Sequence, residues 1–356
     1  MKFPNSKDAL LATASVIICF FAGEAGARKI LPAPARLTPT DPQTGVIRPG
    51  VFGRLHRSDP LLGWVLNPDP QSFHHRLLDK QGVLQYDVVY SVAGGTRLTS
   101  NSAHGGSALI AAGCSFTFGH GVNDEDTWPW RLQDDLPQYH VINAGCMGYG
   151  TDQALMAAER QIQKNPGRTA AVVLGFGDFQ IERNRGAQGW LVHVYPFGKP
   201  FFTVTGSGAE YKRQVRFWSA GTVVGQSDLF MHALNAFANR AYRIPSHEQA
   251  KELTAALITT FAGRFQALGV RLVVVTLPYL GDQFPPTRAD REFVVERLRA
   301  SQIPVLEPDF PRGKDDGIEG RDFMVSRIDR HPNGHYNKLL TAQVLRFLQS
   351  NRIVAP

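Results

Sequence analysis

Five short apolar runs separated by helical segments constrain this chain more than any other feature. They are Ala108 to Ala112 (ALIAA), His140 to Asn143 (HVIN), Ala170 to Leu174 (AAVVL), Arg271 to Thr276 (RLVVVT) and Pro304 to Leu306 (PVL). The first three recur about every thirty residues, the length of a βαβ unit. Helical segments separate the runs at Thr127 to Leu136, Thr151 to Lys164, His247 to Leu268 and Thr287 to Ser301. Apolar strands alternating with helices must be covered on both faces. The pattern therefore predicts an α/β three-layer sandwich around a five-stranded parallel, flavodoxin-like sheet. Ligands of such sheets bind beyond the carboxyl ends of the strands, so chemistry is sought just after each run.

Directly after the first run stands Gly113-Cys114-Ser115-Phe116-Thr117-Phe118-Gly119. A serine at a strand-to-helix turn presents its hydroxyl, and the helix N-terminus aims backbone N–H groups at an anion forming on a substrate. The G-x-S-x-G elbow of α/β-hydrolases does not fit, because Thr117 stands where its last glycine belongs. Near the other end, Ile328-Asp329-Arg330-His331-Pro332-Asn333-Gly334-His335 precedes an amphipathic helix. A nucleophilic serine needs a neutral imidazole and a carboxylate that fixes its tautomer; Asp329 and His331, two residues apart on a loop, can supply both. Pro332 favours extended backbone at His331. His331 and His335 have the spacing of a helical metal pair, but Pro332, Asn333 and Gly334 argue against a continuous helix there. Neither a metal nor another cofactor is expected.

Together with Asn143-Ala144-Gly145-Cys146-Met147-Gly148-Tyr149-Gly150, these blocks resemble SGNH hydrolases of the GDSL group over roughly residues 106 to 350. The resemblance implies Ser115 as nucleophile, with Cys114 where that family usually has aspartate. It implies Gly148 as the oxyanion glycine, whose N–H acts with that of Ser115, and Asp329 with His331 as the relay, one residue tighter than the commonest spacing. The third family block, Gly-x-Asn-Asp, reads Gly175-Phe176-Gly177-Asp178 here, so the oxyanion asparagine is missing. Losing one such donor costs about 10² to 10³ in rate. Gly177, Asp178, Gln180, Arg183 and Asn184 are the candidate substitutes, with Arg183 and Asn184 favoured. Cys114 and Cys146 should end neighbouring strands, and two buried free thiols are expected there over a disulfide.

The flanks add location and specificity. Lys2 and Lys7 precede fifteen uncharged residues, Ala9 to Gly23, fewer than the roughly 20 that span a bilayer untilted. Ala25-Gly26-Ala27 offers a cleavage site, which Glu24, Arg28 and Lys29 crowd. A cleaved signal and an uncleaved inner-membrane anchor both stay open, and either places the body in the periplasm or outside the cell. Residues 31–50 read as a Pro- and Thr-rich linker, and 51–105 as an N-terminal β extension with a strand at Tyr86 to Val92. Residues 185–246 form an insertion rich in aromatics (Trp190, Tyr195, Phe197, Phe201, Phe202, Trp218) with Lys199, Lys212, Arg213 and Arg216. A lid that stacks on sugar rings or grips an acyl chain is expected there. The net charge of +7 is scattered, which argues against nucleic acid. The expected substrate is an acylated small molecule, lipid or polysaccharide. The leading reading is an extracytoplasmic serine esterase, deacetylase-like on carbohydrate or lipid esters. Two alternatives are an O-acyltransferase modifying an envelope or exported polysaccharide, and an inactive carbohydrate-binding or assembly protein.

Overall fold

A computed structural model of the chain describes residues 6–30, 55–100, 106–194, 197–218, 227–277, 288–310 and 322–355. The linker 31–50, Tyr195 and Thr287 lie outside the described residues. In chain order the elements are α1 (Ser6–Ile30), β1 (His56–Asp59), β2 (Gly63–Leu66), β3 (Gln71–Leu78), β4 (Leu84–Ala93), β5 (Thr96–Arg97), β6 (Ala108–Ala112), α2 (Ser115–Phe118), α3 (Trp128–Asp135), β7 (His140–Asn143) and α4 (Thr151–Lys164). There follow β8 (Thr169–Phe176), α5 (Gln180–Arg185), α6 (Gln188–Leu191), β9 (Gly198–Thr205), β10 (Gly208–Arg216), α7 (Asp228–Tyr242), α8 (His247–Gln266), β11 (Arg271–Thr276), α9 (Arg288–Ala300), β12 (Val305–Leu306) and α10 (Gly334–Ser350).

The main sheet runs β12-β11-β8-β6-β7-β5-β4-β3. Its five strands from β12 to β7 are parallel, and β5, β4 and β3 continue it antiparallel past β7. Among the described residues the main sheet thus has eight strands where a five-stranded parallel sheet with an N-terminal β extension was expected, because three strands of the extension join its edge. The parallel strands are apolar throughout because two apolar layers cover them. On one face Ile110, Ile142, Val172 and Leu174 meet Leu155 of α4, Leu257 and Phe261 of α8 and Leu298 of α9. On the other, Leu109, Val141 and Val173 share a core with Trp128 and Leu132 of α3, Leu340 and Val344 of α10, and Trp64, Tyr90 and Val92 from the N-terminal strands. Burying each such side chain contributes about 1.5 to 3 kcal/mol.

The insertion after α5 is packed down. The β9–β10 hairpin donates from Ala209 N to Thr260 Oγ1 of α8 (2.9 Å), and Phe201, Phe202, Val215 and Phe217 are buried. Lys199 is wholly buried in an ion pair with Asp152 of α4. The apolar side chains of the hairpin therefore join the two main cores, Phe201 and Val215 the one and Phe202 the other. From the N-terminal helix, the Glu24 carboxylate accepts from Ser227 Oγ (2.9 Å), Asp228 N (2.8 Å) and Leu229 N (3.0 Å), capping α7. Among the described residues, no helix is long and apolar enough to cross a membrane.

Candidate active site

The buried strand β6 delivers the chain into a turn that tolerates little. A Cβ on Gly113 would stand 2.1 Å from Thr117 Oγ1, so only glycine passes this point. Cys114 is the extended N-cap of α2, and Ser115 opens that single turn. Gly119, at φ 86°, ends it in the left-handed region, donating to Ser115 O (2.9 Å) and handing the chain to His120. The wholly buried Arg97 guanidinium of β5 satisfies the carbonyls of Phe118 (2.8 Å), Gly119 (2.6 Å) and Val122 (2.8 Å) and pairs with Asp124 (2.8 Å). The nucleophile turn is thus held from beneath by a strand of the N-terminal extension.

The loop after β7 locks onto this turn. Cys146 N donates to Gly113 O (3.1 Å), and a Cβ on Gly145 would stand 2.4 Å from Phe118 N. Gly148 takes a left-handed φ of 77°. Its neighbours are fixed by Trp64 of β2: the indole N–H donates to Met147 O (2.9 Å), and Tyr149 Oη donates to Trp64 O (2.7 Å). Cys114 and Cys146 are buried free thiols.

The third loop precedes α10. Ser326 Oγ accepts from Asp329 N (2.9 Å), Val325 N donates to His331 O (2.9 Å), and Asn333 caps α10 through Tyr336 N (3.0 Å). This frame brings His331 Nε2 to 2.9 Å from Ser115 Oγ, while His331 Nδ1 stands 2.5 Å from Asp329 Oδ1. Burial works against charge on Asp329, yet the charges and hydrogen bonds of His331 and His120 outweigh it and hold the carboxyl well below the usual carboxylate range. Burial also pushes the His331 imidazole below its ordinary value; Asp329 opposes this shift, and His120 and Arg183 add to it. At neutral pH the arrangement is therefore an ionised carboxylate, a neutral imidazole and a hydroxyl in series. That series can take a proton from Ser115.

The candidate oxyanion substitutes fare differently. Asn184 is wholly buried; its Oδ1 accepts from Thr151 N (2.7 Å), and its Nδ2 donates to Thr254 Oγ1 (2.8 Å). It therefore caps α4 and is no oxyanion donor, a correction that follows from both ends of its amide being used. Gly177 N donates to Gln180 Oε1 (2.9 Å). Asp178 Oδ1 accepts from Phe179 N (2.8 Å). Arg183 lies over Phe179 (4.6 Å) and Trp190 (4.7 Å) and donates to Tyr149 O (3.0 Å). Phe179 touches Phe116 (5.2 Å), which touches His331 edge-on (5.4 Å), so a chain of ring contacts links Arg183 to the relay.

Among the described residues, His120, Asp329 and His331 are the one group of three whose ligand atoms approach within 4.8 Å, as a metal site would require. Two of the three belong to the relay, and a metal on His331 Nδ1 would displace the hydrogen that Asp329 accepts. His335 is turned away, stacked on Phe323 at 5.3 Å. Four side chains around the relay escaped the sequence reading: His75, Tyr86, Arg97 and His120. A signal existed for one pair. Tyr86 and Tyr90 share the inward face of β4 with Val88 and Val92, and a buried tyrosine hydroxyl needs a partner. Tyr86 Oη donates to Asp329 Oδ2 (2.8 Å) across a separation of 243 residues, which periodicity cannot reveal.

No family model and no curated protein matches the chain. It is similar to solved structures that include a lipolytic protein of the G-D-S-L family from Desulfitobacterium hafniense, at 15% identity over 68% of this chain and 99% of that one, with a TM-score of 0.39. Another is the psychrotrophic esterase EstA from Pseudoalteromonas, at 11% identity over 69% and 98%, with a TM-score of 0.40. A third is the acetylxylan esterase Axe2 from Geobacillus stearothermophilus, at 11% identity over 69% and 96%, with a TM-score of 0.37. These likenesses are remote; what the site can do follows from its own atoms.

Proposed function

We propose that the chain is a serine ester hydrolase of the SGNH kind, acting on an acylated carbohydrate or lipid. The observation that carries this reading is the unbroken series from Ser115 Oγ to His331 Nε2 (2.9 Å) and from His331 Nδ1 to Asp329 Oδ1 (2.5 Å), beyond the carboxyl end of β6. Ser115 Oγ attacks the ester carbonyl as its proton passes to His331 Nε2, and Asp329 stabilises the imidazolium. The backbone N–H groups of Ser115 and Gly148 hold the oxyanion, with the Arg183 guanidinium as the candidate third donor. Collapse expels the alcohol, which takes the proton from His331, and leaves an acyl-serine. Water activated by the same imidazole then releases the acid and restores the serine.

In this reading the reaction takes place outside the cytoplasm, with α1 retained on the folded body. Support comes from Glu24, whose carboxylate caps α7 and would leave the folded body if cleavage followed Ala27. Recovery of the chain with Glu24 at or beyond its mature N-terminus would contradict retention of α1.

The hydrolase reading is tested with an aryl acetate. Wild type is expected to hydrolyse it, and Ser115→Ala to lose about 10⁴-fold or more in kcat. Undiminished turnover in Ser115→Ala would overturn the reading.

A further inference from the structure

Asp329 is gripped on its far side by groups that the proposed reaction does not use. Oδ1 serves His331, accepting from its ring Nδ1 and from its backbone N (3.1 Å). Oδ2 faces the N-terminal strands: Tyr86 Oη donates to it at 2.8 Å, and His120 Nε2 lies 3.2 Å away. Tyr86 Oη in turn has His75 Nε2 at 3.1 Å and His120 Nε2 at 3.2 Å. His120 Nδ1 is 3.5 Å from Tyr90 Oη, which accepts from Gly121 N (2.9 Å), and 3.1 Å from the Met147 sulfur.

One assignment of protons satisfies the oxygen partners. Tyr90 donates to His120 Nδ1, His120 carries its hydrogen on Nε2 toward Asp329 and the Tyr86 oxygen, and His75 donates from Nε2 to that same oxygen. Burial, with the neighbouring His120, pushes His75 down to about 4, so it is a neutral ring at pH 7. Burial and the Asp329 carboxylate raise the Tyr86 phenol far above its ordinary value, so it stays a donor. Tyr86 and His120 then both donate to Asp329 Oδ2, and His75 donates to Tyr86.

We propose that Tyr86 and His120 are positioning residues that fix Asp329 so that its Oδ1 holds His331 in the productive tautomer, making the N-terminal β extension part of the catalytic device. The proposal rests on the hydrolase reading for its consequence but not for its geometry. A carboxylate that accepts bonds on Oδ2 is a weaker proton acceptor at Oδ1. Removing the Tyr86 hydroxyl makes Asp329 pull harder on Nδ1–H and stabilises the imidazolium. The titratable and charged groups facing this pair are His75, Tyr86, Tyr90, His120 and Arg183, and Tyr86→Phe leaves the other four in place.

The test uses the full chain and two readouts. In Tyr86→Phe, kcat/KM should fall about tenfold at neutral pH, the order expected for losing one hydrogen bond to a charged group. Its acid limb should move up by about 0.5 to 1 pH unit. His120→Ala should behave alike, and His120→Gln, which keeps a donor, should recover part of the loss. The His331 titration followed by ¹⁵N NMR should show the same upward move, whether or not the protein turns over an ester. A loss of rate with an unmoved acid limb and an unmoved His331 titration would overturn the proposal, leaving Tyr86 a packing residue. A wild type that titrates as described but reacts with no ester would overturn the hydrolase reading instead.

Discussion

On the parallel half of the sheet, Ser115, Gly148 and the Asp329-to-His331 loop lie beyond strand ends, whereas on the antiparallel half His75, Tyr86 and Arg97 project from strands. The first group supplies atoms that can react. The second touches those groups from behind: Arg97 binds the carbonyls that end the nucleophile turn, and Tyr86 binds the free oxygen of Asp329. Loops aim a side chain toward substrate but leave it free to drift, while a strand face holds its side chains in a fixed frame. The comparison teaches that the extension takes part in the site's geometry by holding the groups of the other half.

The comparison breaks most visibly at the reacting half. Asp329→Asn should lower kcat about 10³- to 10⁴-fold, because the amide no longer enforces the His331 tautomer, as steady-state kinetics would show. On the antiparallel half, Arg97→Ala should act first on stability. It takes the cation from Asp124 and the donors from the carbonyls of Phe118, Gly119 and Val122, costing about 3 to 5 kcal/mol in a denaturant titration, and any activity loss should follow the unfolded fraction. Smaller still, Trp64→Phe removes one donor to Met147 O and should cost about 1 kcal/mol of stability. A few-fold fall in kcat with little change in KM should accompany it, since Gly148 would lose part of its frame. In the wild type, kcat/KM should rise with pH through an acid limb centred below 6.5, the ordinary value of the group, because His331 is depressed. An acid limb centred above that value would contradict a relay held as described.

The two halves were also unequally legible. The runs at 108–112, 140–143 and 271–276 coincide with β6, β7 and β11, because strands covered on both faces leave a continuous apolar signature. Strand β3 (QSFHHRLL) alternates between half-buried and exposed positions, and the β9–β10 hairpin mixes Lys, Thr and Glu with aromatics. Neither resembles a core strand on paper. At the site, Ser115, Asp329 and His331 could be read because the chemistry dictates their types and two of them are neighbours in sequence. Asn184 misled because a polar residue near a strand end has the same appearance whether it faces substrate or caps the next helix. His120 directly follows the glycine that ends the nucleophile turn, yet only the fold shows that this exit points it at Asp329.

The central claim is that Ser115 is a nucleophile activated by His331 and Asp329. The most direct measurement is reaction of the folded chain with a fluorophosphonate, followed by peptide mass spectrometry. The account predicts a single adduct on Ser115 in the wild type, formed at least about 10³-fold more slowly in His331→Ala. A folded wild type that carries no adduct on Ser115, or one that reacts equally fast without His331, would contradict it.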